Sequence, residues 1–218
     1  MKNTAILWVL LSFALGSCGQ APAGFSTIPS AKKINKLKLS QATFAAGCFW
    51  CEEAIFESVK GVYEAVSGYA GGTKPNPTYY DLGSGPTCHA EMVNVYYDST
   101  VVDYPTLLKI YFASQDPTQV NGQGPDMGYQ YRSIVFYRNE EEKKMTEDYI
   151  RELNQSGKYK RPLSVQLTAF TKFWEAEPEH QDFVKRNPEN PYVLHESIPR
   201  IQRFQKQCPQ LIKPEEKY

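Results

Sequence analysis

The sequence predicts a single α/β or α+β domain, and three observations carry that reading. Strand-like and helix-like segments alternate along the chain. Hydrophobic residues make up 41% of the 218 and charged residues 22%, which is enough apolar material for a packed core. Two long stretches rich in Gly, Pro, Tyr and Asp, over 73–86 and 113–130, interrupt the alternation. Loops of that length in a compact domain are often functional.

The elements follow in order. A strand is expected over 41–46, stopped by Gly47. Cys48-Phe49-Trp50-Cys51 comes next, then a helix over 52–60 with Ile55, Phe56 and Val59 on one face, acids in its first turn and Gly61 at its end. A strand over 62–69 runs to Gly71-Gly72, which opens the first loop, with Tyr79-Tyr80 embedded in it. A strand over 90–97 and a helix over 103–112, with Pro105 near its start, precede the second loop. Then come a strand over 132–138, a helix over 140–155 ended by Gly157, and a strand over 163–169. An aromatic and acidic loop over 173–177, a short helical piece near His180 and a helix over 201–207 complete the chain.

The N-terminal part has a different character. Lys2 precedes an apolar run over 5–15, too short to span a bilayer, and Leu15-Gly16-Ser17-Cys18 resembles a bacterial lipobox. The expected organisation is a lipoprotein signal peptide over 1–17, a tether over 18–39 beginning at a lipidated Cys18, and one catalytic domain over 40–212. An exported protein follows, anchored to a membrane by its lipid and facing the periplasm or the cell exterior. Lys+Arg and Asp+Glu both number 24, so bulk positive charge for nucleic-acid binding is absent. The 15 tyrosines point to a Tyr-rich pocket or surface beyond the core.

Four cysteines remain for chemistry once Cys18 is set aside: Cys48, Cys51, Cys88 and Cys208. Cys48 sits where a strand turns into a helix, so the helix dipole and free N–H groups are expected to favour its thiolate. Cys51 follows one helical turn later. The spacing fits a redox pair, half of a zinc site, a static disulfide or two buried thiols. Phe49 and Trp50, between the thiols, are an apolar wall beside a nucleophile or simple core packing. In a strand over 90–97, Glu91 shares a face with Val93 and Val95. A carboxyl among valines holds its proton and can donate it, whereas a carboxylate at a strand end stays in water. The segments 76–80 and 123–133 each place tyrosines in a loop, where the hydroxyls can donate to a substrate oxygen.

Taken together, these segments resemble the A-class peptide methionine sulfoxide reductases. The resemblance rests on Gly47-Cys48-Phe49-Trp50, Val66-Ser67-Gly68-Tyr69-Ala70-Gly71-Gly72, Asn76-Pro77-Thr78-Tyr79, His89-Ala90-Glu91, the run from Gln123-Gly124 through Asp126, Gly128 and Gln130-Tyr131-Arg132-Ser133, and Glu177 with His180-Gln181. It implies a two-layer sandwich with a mixed sheet, flanking helices and long functional loops. It implies Cys48 as the nucleophile on the sulfoxide sulfur and Glu91 as the acid for the oxygen. Tyr79, Tyr131 and Asp126 hold that oxygen, Asp126 through water, and Phe49 and Trp50 form the pocket for the methyl group. The implied substrates are methionine-S-sulfoxide, free and in proteins and peptides. No metal or organic cofactor is implied, and the reductant is an external thioredoxin-like donor.

The sequence departs from the family's common pattern at Cys51, Cys88, Gly122 and Gln115. The first two bear on which thiol resolves the sulfenic acid. Cys51 needs no large movement, Cys208 needs a mobile tail, and Cys88 is close to Glu91 in sequence. Cys51 is favoured. Two rival classes stand beside this reading: a thioredoxin-like Cys-x-x-Cys disulfide oxidoreductase, and a zinc module built from Cys48, Cys51, Cys88 and His89. A monomer is expected, since no long apolar surface segment is evident.

Overall fold

The computed structural model describes residues 38–84 and 87–218. The signal peptide, Cys18 and nearly all of the tether expected above lie outside these residues. Six strands form one sheet in the order β7-β6-β1-β3-β2-β8. They are β1 (Ser40–Ala45), β2 (Val62–Ala70), β3 (Ala90–Tyr97), β6 (Ile134–Tyr137), β7 (Gln166–Ala169) and β8 (Trp174–Glu175), and β4 (Gly122–Gln123) and β5 (Asp126–Met127) form a separate hairpin. β6 and β7 pair in parallel and every other pair in the sheet is antiparallel, so the sheet is mixed.

The helices are α1 (Phe49–Glu57), α2 (Tyr79–Ser84), α3 (Tyr104–Ala113), α4 (Glu140–Gln155), α5 (Phe183–Arg186) and α6 (Ile198–Gln207). Alternation along the strands explains the two cores. Phe44, Val93 and Val95 point to one side and pack with Ile55 and Phe56 of α1, Leu107, Leu108 and Tyr111 of α3, and Ile201 and Phe204 of α6. Ala45, Ala70, Ala90, Met92, Ile134 and Phe136 point to the other side, where Phe170 and Phe173 pack against them. Gly68 makes the second contact possible, because a Cβ there would stand 2.2 Å from the Phe173 ring and 2.4 Å from the Trp174 carbonyl.

Several expectations are corrected. The first helix starts at Phe49 rather than Glu52, which puts Phe49, Trp50 and Cys51 in its first turn. The first loop contains α2, the second contains the β4–β5 hairpin, and the aromatic and acidic loop contains β8 on the edge beside β2. α6 begins at Ile198, after a wide turn over Val193–Ser197. The strand expected over 163–169 starts at Gln166 and the one over 132–138 at Ile134. Among the described residues, no helix is long and apolar enough to cross a membrane.

Candidate active site

The turn from β1 into α1 places the first thiol. Gly47 takes φ +76°, and a Cβ there would stand 2.5 Å from the Gln123 side chain, so the turn needs glycine for both conformation and space. Cys48 is then the N-cap residue of α1. The next N–H, that of Phe49, donates to Glu91 Oε2 at 3.1 Å. Glu91 stands opposite Tyr69 in the β2–β3 ladder and is 2% exposed. Burial pushes its carboxyl up to about 8, against the pull of the Phe49 N–H, and the charges of Asp126 and Cys51 push the same way. Glu91 is therefore protonated at neutral pH, as its place among valines predicts.

The thiol expectation is reversed. Cys48 is raised well above the ordinary cysteine value, first by burial, then by its hydrogen bond to Cys51 and the charges of Cys51 and Glu91. The helix N-terminus does not offset this, because the Cys48 side chain makes no capping hydrogen bond to it. Cys51 is the acidic partner. It is pulled down to about 6 by the hydrogen bond from Cys48, by the positive charge of Arg200 and by Ser197, in spite of burial. Cys51 Sγ lies 3.2 Å from Ser197 Oγ. The two thiols are coupled: the Arg200 charge and the Ser197 hydroxyl favour charge at Cys51, whereas burial disfavours it at Cys48.

Arg200 is held from three sides. Its Nε donates to the Ser114 carbonyl and its Nη2 to the Ala46 carbonyl, each at 2.9 Å, and it pairs with the Glu52 carboxylate. Glu52 is fully buried next to Cys51, and burial carries it up to about 7 although Arg200 opposes this.

An aromatic group surrounds the thiols. Trp50 Nε1 donates to His180 Nδ1 at 3.2 Å, and the Trp50 ring stacks on Phe183 with centroids 3.7 Å apart. Tyr79 stacks near Phe49 at 6.1 Å and lies 4.4 Å from His180. Glu177 fixes this arrangement by accepting from the Tyr79 backbone N–H at 2.9 Å and the Tyr69 hydroxyl at 2.7 Å. Burial, with the charges of Glu91 and Cys48, pushes Tyr79 up to about 12 and raises Tyr131 as well. Both phenols stay protonated and able to donate. Asp126 on β5 accepts from the Tyr192 hydroxyl at 2.5 Å, and that same hydroxyl stands beside Cys48.

The structure therefore brings Cys48, Cys51, Glu91, Phe49, Trp50, Tyr79, Tyr131 and Asp126 together. It adds Tyr192, Ser197 and Arg200, which sequence reasoning missed and for which the sequence offers no motif. His180, which the sequence offers only as part of the family resemblance, belongs to the aromatic group. Cys88 is exposed, at φ +59°, and its carbonyl accepts from Arg132. Cys208 caps α6 and faces Lys158 and Tyr149. The chain after it is pinned to the end of α1 by bonds from the Lys60 N–H to the Leu211 carbonyl and from the Lys213 N–H to the Ser58 carbonyl, each 2.8 Å. The tail movement that Cys208 requires must break both. His89, proposed for the zinc reading, has its Nδ1 on the Gly72 N–H and its Nε2 on the Lys74 carbonyl, so neither nitrogen is offered to a metal.

Comparison with known proteins gives the same direction. The family described as PMSR, peptide methionine sulfoxide reductase, matches residues 40–211. The chain is 44% identical to the peptide methionine sulfoxide reductase MsrA of Natronomonas pharaonis, over 74% of this chain and 90% of that protein. It is 43% identical to an MsrA of Thermus thermophilus, over 79% of this chain and 97% of that protein. Among solved structures, methionine sulfoxide reductase A of Corynebacterium diphtheriae superposes with a TM-score of 0.61 at 31% identity, covering 69% of this chain and 76% of that one.

Proposed function

The chain belongs to the peptide methionine sulfoxide reductase family and is an oxidoreductase that reduces methionine sulfoxide, and from that premise we propose that Cys48 attacks the S epimer, with Glu91 as acid and Cys51 as resolving thiol. The observation that carries this assignment is the buried Glu91 carboxyl, protonated at neutral pH and bonded to the residue next to Cys48.

Sulfoxide oxygen leaves sulfur only when protonated, so Glu91 supplies a proton as Cys48 attacks. Tyr79 and Tyr131 donate to the oxygen, Asp126 holds it through water, and Phe49 and Trp50 pack against the methyl group. The Cys48 proton passes to Cys51 across the S–H···S bond. Methionine leaves and Cys48 becomes a sulfenic acid. Cys51 then attacks the Cys48 sulfur, the S–O bond breaks, water departs and a Cys48–Cys51 disulfide forms. A thioredoxin-like dithiol donor supplies the two electrons that reopen it. Side chains alone perform these steps.

The test is a mixture of both epimers of a methionine sulfoxide peptide with dithiothreitol as reductant. Loss of the S epimer alone is the expected result. Persistence of both epimers with the folded protein defeats the assignment.

The lipid anchor belongs to the same proposal, supported by Leu15-Gly16-Ser17-Cys18 after the apolar run over 5–15. The mature protein starts at a lipidated Cys18 and works outside the cytoplasm, on the envelope's oxidised proteins. The mass of the mature N-terminal peptide tests it, together with release of a Cys18→Ser variant from membranes. A mature protein retaining residues 1–17, or an unmodified Cys18, defeats it.

A further inference from the structure

The two thiols are alike in chemistry and differ in how they are held. Cys51 is 1% exposed and touches Ser197. Arg200, on the helix that follows Ser197, is anchored on Ala46 and Ser114 and adds its positive charge. Cys48 instead faces Glu91, Tyr79 and Tyr131, groups assigned to the sulfoxide, and Tyr192. The titratable groups that bear on Cys51 are Cys48 and Glu52 on its own turn, Glu91 on β3, Asp126 on β5, and Tyr192 and Arg200 on the C-terminal segment.

Resting on the Cys48–Cys51 disulfide of the proposed function, we propose that Ser197 and Arg200 hold Cys51 as the leaving thiolate, so that the donor thiol attacks Cys48 and shares one entrance with the sulfoxide. In thiol–disulfide exchange the sulfur better able to carry charge leaves faster. Cys51 is that sulfur. An entrance that lets a protein-borne methionine side chain reach Cys48 also admits a thiol presented on a protein loop. The incoming thiolate bonds to Cys48 Sγ, the Cys48–Cys51 bond breaks, and its electron pair goes to Cys51 Sγ, where the Ser197 hydroxyl donates. The donor's second thiolate then attacks its own sulfur in the mixed disulfide. Cys48 leaves with the electron pair and takes a proton, and the donor departs as a disulfide.

A competing approach exists. A cavity of about 270 Å³, lined by Cys51 with Gln123, Asp126, Tyr192, Arg200 and Arg203, reaches the other sulfur. Attack through it would expel Cys48, which burial disfavours as a thiolate.

The test starts from protein oxidised by one equivalent of a methionine sulfoxide peptide and mapped without reduction. A Cys48–Cys51 bridge is expected, and its absence defeats the proposed function and this proposal together. The bridged protein is then mixed with a thioredoxin whose second active-site cysteine is serine, and the trapped mixed disulfide is mapped. An adduct on Cys48 is expected, and an adduct on Cys51 overturns this proposal while the proposed function stands. Two further readouts bear on it. In a Cys48→Ser background, Ser197→Ala should move the Cys51 thiolate absorbance to higher pH. With Cys48 retained, Ser197→Ala should slow reduction of the bridge about three-fold for each pH unit that the midpoint moves. An unmoved midpoint removes Ser197 from the role. Excess sulfoxide should inhibit turnover competitively against the dithiol, and turnover that stays flat excludes a shared entrance.

Discussion

The Tyr192 hydroxyl donates to Asp126 Oδ2 at 2.5 Å and stands beside Cys48. One phenol on the C-terminal segment thus ties the β4–β5 hairpin to the nucleophile. The Trp50 ring meets the same ring edge-on at 5.7 Å, so two separate stretches of chain, the hairpin and the start of α1, close on it.

Removing that hydroxyl tests the closure. Tyr192→Phe keeps the ring and frees Asp126, whose charge-assisted bond contributes roughly 1.5–3 kcal/mol. The kcat/KM for a sulfoxide peptide should fall about ten-fold or more. An unchanged value together with an unchanged melting temperature would show that the bond serves neither substrate nor fold.

Glu91→Gln retains an acceptor for the Phe49 N–H and loses the acid. The single-turnover rate of methionine formation should drop by about 10² to 10⁴. In the native protein the same rate should fall as pH rises through about 8, where Glu91 gives up its proton. A rate that stays level to pH 9.5 in the native protein would take the acid role away from Glu91.

Cys51→Ser should form about one equivalent of methionine and then stop when a thioredoxin is the donor. Cys88→Ser and Cys208→Ser should both keep cycling, since Cys88 is exposed and Cys208 faces Lys158 and Tyr149. Sustained cycling by Cys51→Ser would pass the resolving role to one of these two.

Stability should follow the buried acids. Glu52, Glu53 and Glu91 are raised from 4.5 to about 7, 8 and 8, each by burial first. Between 4.5 and those values the folded state binds more protons than the unfolded one, so stability is greatest at the acid end and is lost as pH rises. Cys51 acts in the opposite sense between about 6 and 9, but it is one group against three. The melting temperature should be higher at pH 5.5 than at pH 8.5, and Glu53→Gln should narrow that gap. A gap that Glu53→Gln leaves intact would show that Glu53 does not titrate between those values. Glu53 suits the test because it bonds Ser67 and the Asp182 N–H and stands outside the chemistry.

Much of this was legible because it rests on local pattern. Period-two alternation put Glu91 with Val93 and Val95, and the fold keeps it there, buried. Asn139 and Asp103 cap α4 and α3 through side-chain bonds to Glu142 and Thr106 N–H groups, which is why those helices begin where expected. The two-residue β8 was not legible, because a strand that short shows no alternation and exists only by pairing with β2. α2 was hidden for a similar reason: it has six residues inside a Gly- and Pro-rich stretch.

The sequence by itself determined the family, the thiol pair, the buried acid and the aromatic neighbours, because each lies in a short motif whose chemistry depends on residues close in the chain. Tertiary structure alone decided what surrounds each thiol. Ser197 stands 146 positions from Cys51, and Arg200 stands 148 from Glu52. No spacing rule reaches so far. The ionisation of a buried sulfur is set by burial and by whatever the fold brings around it: the neighbouring thiol, the Arg200 charge and the Ser197 hydroxyl at Cys51, and burial first at Cys48.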